Sequence, residues 1–228
     1  MSLPKLLSLL GRQEIHFARS DTLGDPYEGL SSAVDREAFE AWMASTLPEG
    51  ADRERRAREL TSTMQEEPER KFRRGVYISC WHRFEEEQAA MWRVYAAHHG
   101  IAIRTTFDDL TKSIVDDRRV YAGAVRYIDY KNERTEIIQW NAFSPHTCKR
   151  RSFQSDNEVR LVISDPALAD AEEPPEGIFV RVDLDRLVRD VFVSPEQPKW
   201  FADVVIDVVG KYGIPPERVT HSTLYEPI

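Results

Sequence analysis

Residues 156–163 read DNEVRLVI. Val159, Leu161 and Ile163 recur at period two, and Asp156, Glu158 and Arg160 fall between them. That alternation predicts a strand with one apolar face and one charged face. The apolar face has to be buried, which predicts that 158–164 lies at the centre of a sheet. Two readings of the charged face stand side by side. It lines a polar cleft, or it faces solvent and carries local ion pairs of little energy. In a cleft walled by aromatic rings, a lone Glu158 would be desolvated and would protonate; Arg160, two residues on, would keep it ionised and fix its rotamer.

Outward from this strand the elements are short and mixed. Strands are predicted at 14–19 (EIHFAR), 75–82 (GVYISCWH), 101–106, 119–130 (with Gly123 as a bulge), 178–183, 190–194 and near 219. Helices are predicted at 34–47, at about 52–74 with Pro68 breaking it, at 85–99 ended by Gly100, at 108–115 and at 199–212. No βαβ rhythm repeats. The expectation is therefore an α+β fold with a mostly antiparallel, bent sheet. No low-complexity linker occurs, ALADAEEPPEG at 167–177 is the only linker-like loop, and 1–228 reads as a single domain with a charged helical insertion at about 34–74. That insertion is dense in both Arg and Glu, and its charges nearly cancel, as on a solvated face.

Composition excludes several classes. The chain has 228 residues, 41% of them hydrophobic and 31% charged, which is a globular balance. A net charge of -8 argues against a duplex-DNA binder held by a broad basic face. No apolar run reaches spanning length, and the opening MSLPKLLSLL reads as a first helix, so no membrane partner is expected. Two cysteines are too few for a disulfide framework, and a cytoplasmic location is expected.

Four constellations could carry chemistry. The first is Asp156, Glu158 and Arg160. The second is the helix containing Trp92, Tyr95 and His99, either packing on the sheet or forming an aromatic wall for a planar ligand. The third is the turn Asp25-Pro26-Tyr27-Glu28, either a plain turn or a carboxylate pair beside Arg19, whose guanidinium would need Asp25, Glu28 or Glu158 if buried. The fourth is Cys80 and His82 with His146 and Cys148, a legal zinc set with unusual one-residue spacers, so no metal is expected. No Walker loop, GxGxxG, HExxH or GxSxG occurs.

FARSDTLGDPYEG, YISCWHRFEEEQAAMWRVYAAHHGIAI, VRYIDY, KRRSFQSDNEVRL and VFVSPEQPKWFADVVIDVVGKYGI together resemble the bacterial family designated domain of unknown function 2971. That family commonly has Asn where Gly24 stands and often Glu where Asp156 stands. By this resemblance Asp25, Glu28, Trp92, Tyr95, Lys149, Glu158 and Arg160 are the residues expected to matter. A more distant similarity is to the ADP-ribosyltransferase fold, with His16 or Arg19, then Tyr77 to Ser79, then Asp156-x-Glu158 in its slots. The resemblance implies an NAD-consuming ADP-ribosyltransferase or glycohydrolase. NAD would be the substrate. Glu158 would stabilise an oxocarbenium-like state, Arg19 or Arg160 would hold phosphate or orient Glu158, and Trp92 or Tyr95 would stack on a ring. The alternative is a non-catalytic module of a stress or phage-defence system that recognises a nucleotide or a protein partner. A metal-dependent nuclease built on Asp25, Asp156 and Glu158 ranks third, because Lys149 lies off the strand.

Overall fold

The computed structural model describes residues 1–95, 99–135 and 141–226. In chain order its elements are α1 (Leu3–Arg12), β1 (Glu14–Arg19), α2 (Ala33–Thr46), α3 (Arg53–Thr61), α4 (Glu67–Arg73), β2 (Val76–His82), α5 (Ala89–Tyr95), β3 (Ile101–Arg104) and α6 (Phe107–Lys112). There follow β4 (Tyr121–Ala124), β5 (Arg126–Ile128), β6 (Cys148–Arg150), β7 (Glu158–Ser164), α7 (Pro166–Ala169), β8 (Gly177–Arg181), α8 (Leu184–Leu187), β9 (Asp190–Val193), α9 (Lys199–Gly210) and β10 (Val219–His221). The fold is α+β, with an antiparallel five-stranded sheet and flanking helices.

Contacts gather the residues into two compact units, each made of separated segments. The first comprises Met1–His16, Phe84–Asp117 and Phe179–Ile228; the second comprises Phe17–Arg83 and Arg118–Ile178. Of the four crossings, only that at 178/179 follows a Pro- and Gly-containing loop, ALADAEEPPEG at 167–177; the other three carry no such signal.

In the first unit, α1 buries Leu6, Leu9 and Leu10, the i, i+3, i+4 face of an amphipathic helix. It ends at Gln13 in the left-handed region. A three-stranded sheet runs β10-β9-β3, with β3 antiparallel and β10 parallel to β9. The helix α9 buries Phe201, Ala202, Val205 and Val209 but leaves Trp200 and Val204 exposed. The expected long helix over 85–99 is described only as α5, and Ala96–His98 lie outside the described residues. Its expected Gly100 terminus is corrected: His99 takes the left-handed conformation, and Gly100 pairs with Ser2 in a β-bridge.

The second unit holds most of the five-stranded sheet, ordered β4-β7-β2-β1-β8. The middle strand is β2 rather than β7, which corrects the expectation from apolar patterning. Yet β7 is paired along both edges, to β2 and to β4, and six of its seven residues are buried. The charged face is therefore as buried as the apolar one. Val76, Ile78 and Val162 form a core cluster with Leu23, Phe72 and Phe143 packed on it. Gly75 closes the entry to β2, where an added Cβ would lie 2.5 Å from the Asp165 carbonyl oxygen.

Two further expectations change. The long strand over 119–130 is split into β4, in the main sheet, and β5, which pairs in parallel with β6. Gly123 is not a bulge: it pairs in register with Arg160, and the break comes after Ala124. The helix over 52–74 is not broken at Pro68. A π-helical turn, Ser62–Glu66, comes just before it, and Pro68 sits in the first turn of α4. Widening the helix there removes the need for the proline's missing N–H and relieves its ring from the preceding carbonyl. Ahead of α2, Ser32 and Asp35 form a reciprocal capping box, and the Asp35 carboxylate also accepts from the Thr135 N–H and hydroxyl.

Candidate functional site

The local conformation around residue 157 sets the site. Asp156 ends a 3-10 turn, Arg151–Asp156, and is not part of the strand, whose first residue is Glu158. Asn157 between them is left-handed, a conformation that Asn tolerates better than most residues. Asp156 and Glu158 thus share a side through a turn rather than through the pleat. Both carboxylates accept from one ammonium: Lys149 Nζ lies 2.9 Å from Asp156 Oδ2 and 2.6 Å from Glu158 Oε1. Lys149 lies off that strand, on β6, yet its ammonium reaches both carboxylates.

Arg160 is fully buried and spends its fork on two hydrogen bonds and one further ion pair. Nε donates to Glu158 Oε2 at 2.8 Å, and Nη1 donates to the His146 carbonyl at 2.9 Å. Nη2 lies 2.6 Å from Glu28 Oε2, a close ion pair poorly aligned for a hydrogen bond, so neither of those two atoms has a hydrogen-bond partner. The Glu158 backbone N–H donates to the Tyr127 hydroxyl at 2.8 Å.

The two glutamates on Arg160 are held differently. Burial would raise both. For Glu158, Arg160 and Lys149 outweigh burial and hold the carboxyl below its usual value. For Glu28, burial wins over the same two cations, Glu158 adds repulsion, and the carboxyl is raised. Lys149 and Arg160 are both stabilised in their charged forms against the cost of burial, Lys149 chiefly by its hydrogen bonds to Glu158 and Asp156, and Arg160 by the negative charges around it.

Asp25 makes the turn and more. Its Oδ1 accepts from the Tyr27 N–H at 3.1 Å, and its Oδ2 accepts from Arg150 Nε at 3.0 Å. The Arg150 guanidinium carbon lies 5.0 Å from the Tyr27 ring centroid and 5.3 Å from that of Phe153, while Lys149 Nζ lies 4.8 Å from the Phe153 ring. Tyr130 packs against Tyr27 with centroids 5.2 Å apart, and its buried hydroxyl has no partner among the described residues.

The structure thus brings Asp25, Glu28, Lys149, Asp156, Glu158 and Arg160 into one neighbourhood of the second unit. Arg19 is elsewhere. Its acid is Asp21 at 2.6 Å, not Asp25, Glu28 or Glu158, and its Nη1 reaches the carbonyls of Pro174 and Pro175. A carboxylate two residues along the chain suffices because the guanidinium stays partly exposed. Trp92 and Tyr95 belong to the first unit. Trp92 is buried and donates to Glu87 at 2.9 Å, whereas Tyr95 is exposed.

The four residues of the supposed zinc set have separate partners. His82 Nδ1 meets the Asp156 carbonyl at 2.7 Å, His146 Nδ1 meets Ser20 Oγ at 2.9 Å, and Cys148 Sγ donates to the Thr135 carbonyl at 3.5 Å. Cys80 keeps solvent-accessible surface, yet the protein around its sulfur pushes the thiol up to about 12, so it is no thiolate at neutral pH. Among the described residues, no group of three or more His, Cys, Asp and Glu side chains is arranged to hold a metal ion. No described helix is long and apolar enough to cross a membrane. Burial lowers His146 to about 3, so the ring stays neutral. Gly29, at φ +75°, backs onto that ring; an added Cβ would lie 2.7 Å from its Cε1.

Sequence reasoning missed Arg150, Tyr127 and Tyr130, and it had His146 only as a possible metal ligand. For Arg150 the sequence holds only the basic run KRR at 149–151; that Asp25 is buried and needs a cation is seen only in the structure. The others act through backbone carbonyls, hydroxyls and buried rings, which leave no pattern in spacing. No protein-family model matches the chain, and no curated protein or solved structure matches it significantly.

Proposed function

We propose that this chain is a nucleotide-binding module in which the buried charges are scaffold rather than reacting groups. The observation that carries this reading is the engagement of Glu158. Each of its oxygens already accepts from a buried cation, and its side chain is 3% exposed. To face a reacting carbon it would have to release Lys149 or Arg160 and leave a charge unpaired inside the protein. A scaffold needs the opposite property, charges that do not move. The partly exposed edge of the cluster, Arg150 with Tyr27 and Phe153, offers a cation and ring faces of the kind that nucleotides use.

A second reading is favoured by one specific observation, the lowered pKa of Glu158. An ionised carboxylate at neutral pH is what stabilisation of an oxocarbenium-like state requires. In an NAD glycohydrolase or ADP-ribosyltransferase the nicotinamide–ribose bond breaks, its electron pair leaves with nicotinamide, and water or an acceptor nucleophile adds to the ribose carbon. Arg160 would then orient Glu158, and Asp156 would hold Lys149.

Incubation of the purified chain and its Glu158→Gln variant with NAD, following nicotinamide release alongside calorimetric binding of NAD, ADP and AMP, separates the two. Binding without nicotinamide release is the expected result. Release that disappears in the variant overturns the module in favour of the enzyme. Absence of binding and of release at millimolar nucleotide overturns both.

A further inference from the structure

We infer that Arg150 is the ligand-contacting residue of this neighbourhood and that it receives a phosphate group. The inference rests on the nucleotide-binding reading and adds to it a residue and a ligand chemistry.

Among the arginines of the second unit, Arg150 combines three features. Its Nε is fixed by Asp25, whose side chain is 1% exposed. Its own side chain is 39% exposed, and Nη1 and Nη2 make no hydrogen bond or ion pair with the described residues. The rings of Tyr27 and Phe153 both lie close to the guanidinium and limit its motion. A guanidinium anchored through Nε keeps its far edge, two parallel N–H groups, available for a bidentate oxyanion. Three others differ. Arg160 is buried and its fork is engaged, Arg19 is tied to Asp21 and two carbonyls, and the exposed Arg151 is paired with Glu133 at 2.6 Å.

Burying Asp25 is costly to the fold unless a cation meets it. A surface salt bridge would not need so buried an acid. The arrangement instead holds an exposed cation in one orientation, the preorganisation a binding site requires.

The surrounding charge is not basic. Asp25, Glu28, Asp156 and Glu158 face Lys149, Arg150 and Arg160. Attraction of the anion therefore comes from the short-range fork rather than from a long-range field. The phosphate would sit on the fork, with its oxygens on the two free N–H groups.

Calorimetry with ADP, adenosine and inorganic pyrophosphate, on the wild type, Arg150→Gln and Arg150→Lys, tests this, with thermal melts of each. The wild type should bind ADP and pyrophosphate, and adenosine at least about tenfold more weakly than ADP. Arg150→Gln should lose at least about tenfold in ADP affinity while its adenosine affinity stays within about twofold. Arg150→Lys, which keeps charge and loses the fork, should fall between them. Unchanged ADP affinity in a folded Arg150→Gln overturns the role of Arg150 while nucleotide binding stands. Should that variant not fold, full ADP affinity in Arg150→Lys overturns it equally. Equal affinity of the wild type for adenosine and ADP overturns the phosphate assignment. No binding of any probe to the wild type overturns this inference and the reading beneath it together.

Discussion

Arg160 and Arg55 make ion pairs of similar length in very different surroundings. Arg55, on α3, meets Asp52 and Glu59, both at 3.2 Å, and all three side chains are more than 60% exposed. Arg160, on β7, meets Glu158 at 2.8 Å and Glu28 at 2.6 Å with no exposure at all. Water solvates and screens the first set, so its members are nearly independent and each pair is worth a few tenths of a kcal/mol. The second set has exchanged its hydration for one another, and each member depends on the rest. Distance alone would rank these interactions together. Burial separates them, and it makes a run of RERRAREL, for all its charge, less consequential than the three letters EVR.

That contrast is open to measurement. Arg160→Ala leaves Glu158 and Glu28 short of their buried cation and should cost about 3–5 kcal/mol in urea unfolding, the range for breaking a buried pair. A loss below about 1 kcal/mol would mean that the network is hydrated in solution and that the contrast does not hold.

A pH series sharpens it. His146 gives its carbonyl to Arg160, and its ring is held neutral, with a folded pKa of about 3 against about 6.5 for an unfolded histidine. Between those values the unfolded chain binds a proton that the folded chain does not, so stability falls as pH falls. The contribution is fully present above pH 6.5 and is lost progressively toward pH 3. The difference in unfolding free energy between wild type and His146→Gln should shrink by about 1.4 kcal/mol for each pH unit below 6, so that the variant gains on the wild type in acid. A difference that is flat with pH would show that His146 titrates normally in the folded protein. At the small end, Arg55→Ala should change stability by less than about 0.5 kcal/mol, with any loss fading in 1 M salt. A salt-independent loss of 1 kcal/mol or more would place the α3 pairs in the same class as Arg160.

Much of this was legible before any coordinates. The alternation in EVRLVIS gives β7 with its observed bounds, and the helix expected over 108–115 is found as α6, Phe107–Lys112. The site was legible in its acids and in Arg160, because a row of charges on a strand with an obligatorily apolar reverse face has few places to go. Its other half was not. Period two assigns side chains to faces, but it does not say whether the second face meets water, and here β7 is covered on both. Arg19 read as a partner of the cluster by its strand face, whereas its acid lies in the adjoining turn, a choice made by backbone geometry that spacing does not encode. The split of 119–130 is of the same kind. The residues are good strand formers throughout, and which sheet each half joins is settled by tertiary pairing.

The interleaving of the two units has a consequence for synthesis. A chain leaves the ribosome in order and folds with what has emerged. The second unit ends at Ile178, so every strand contact around Glu158 and Arg160 is available once β7 and the segment to 178 are out. The first unit cannot close then, because β9, α9 and β10 all follow. Through that interval α1, with Leu6, Leu9 and Leu10 on one face, has been made but lacks α9, one of its native packing partners. The helix α1 is thus among the last elements to be covered, and a nascent chain that had emerged as far as Ile178 would present an apolar stripe to chaperones while its buried charges were already in place.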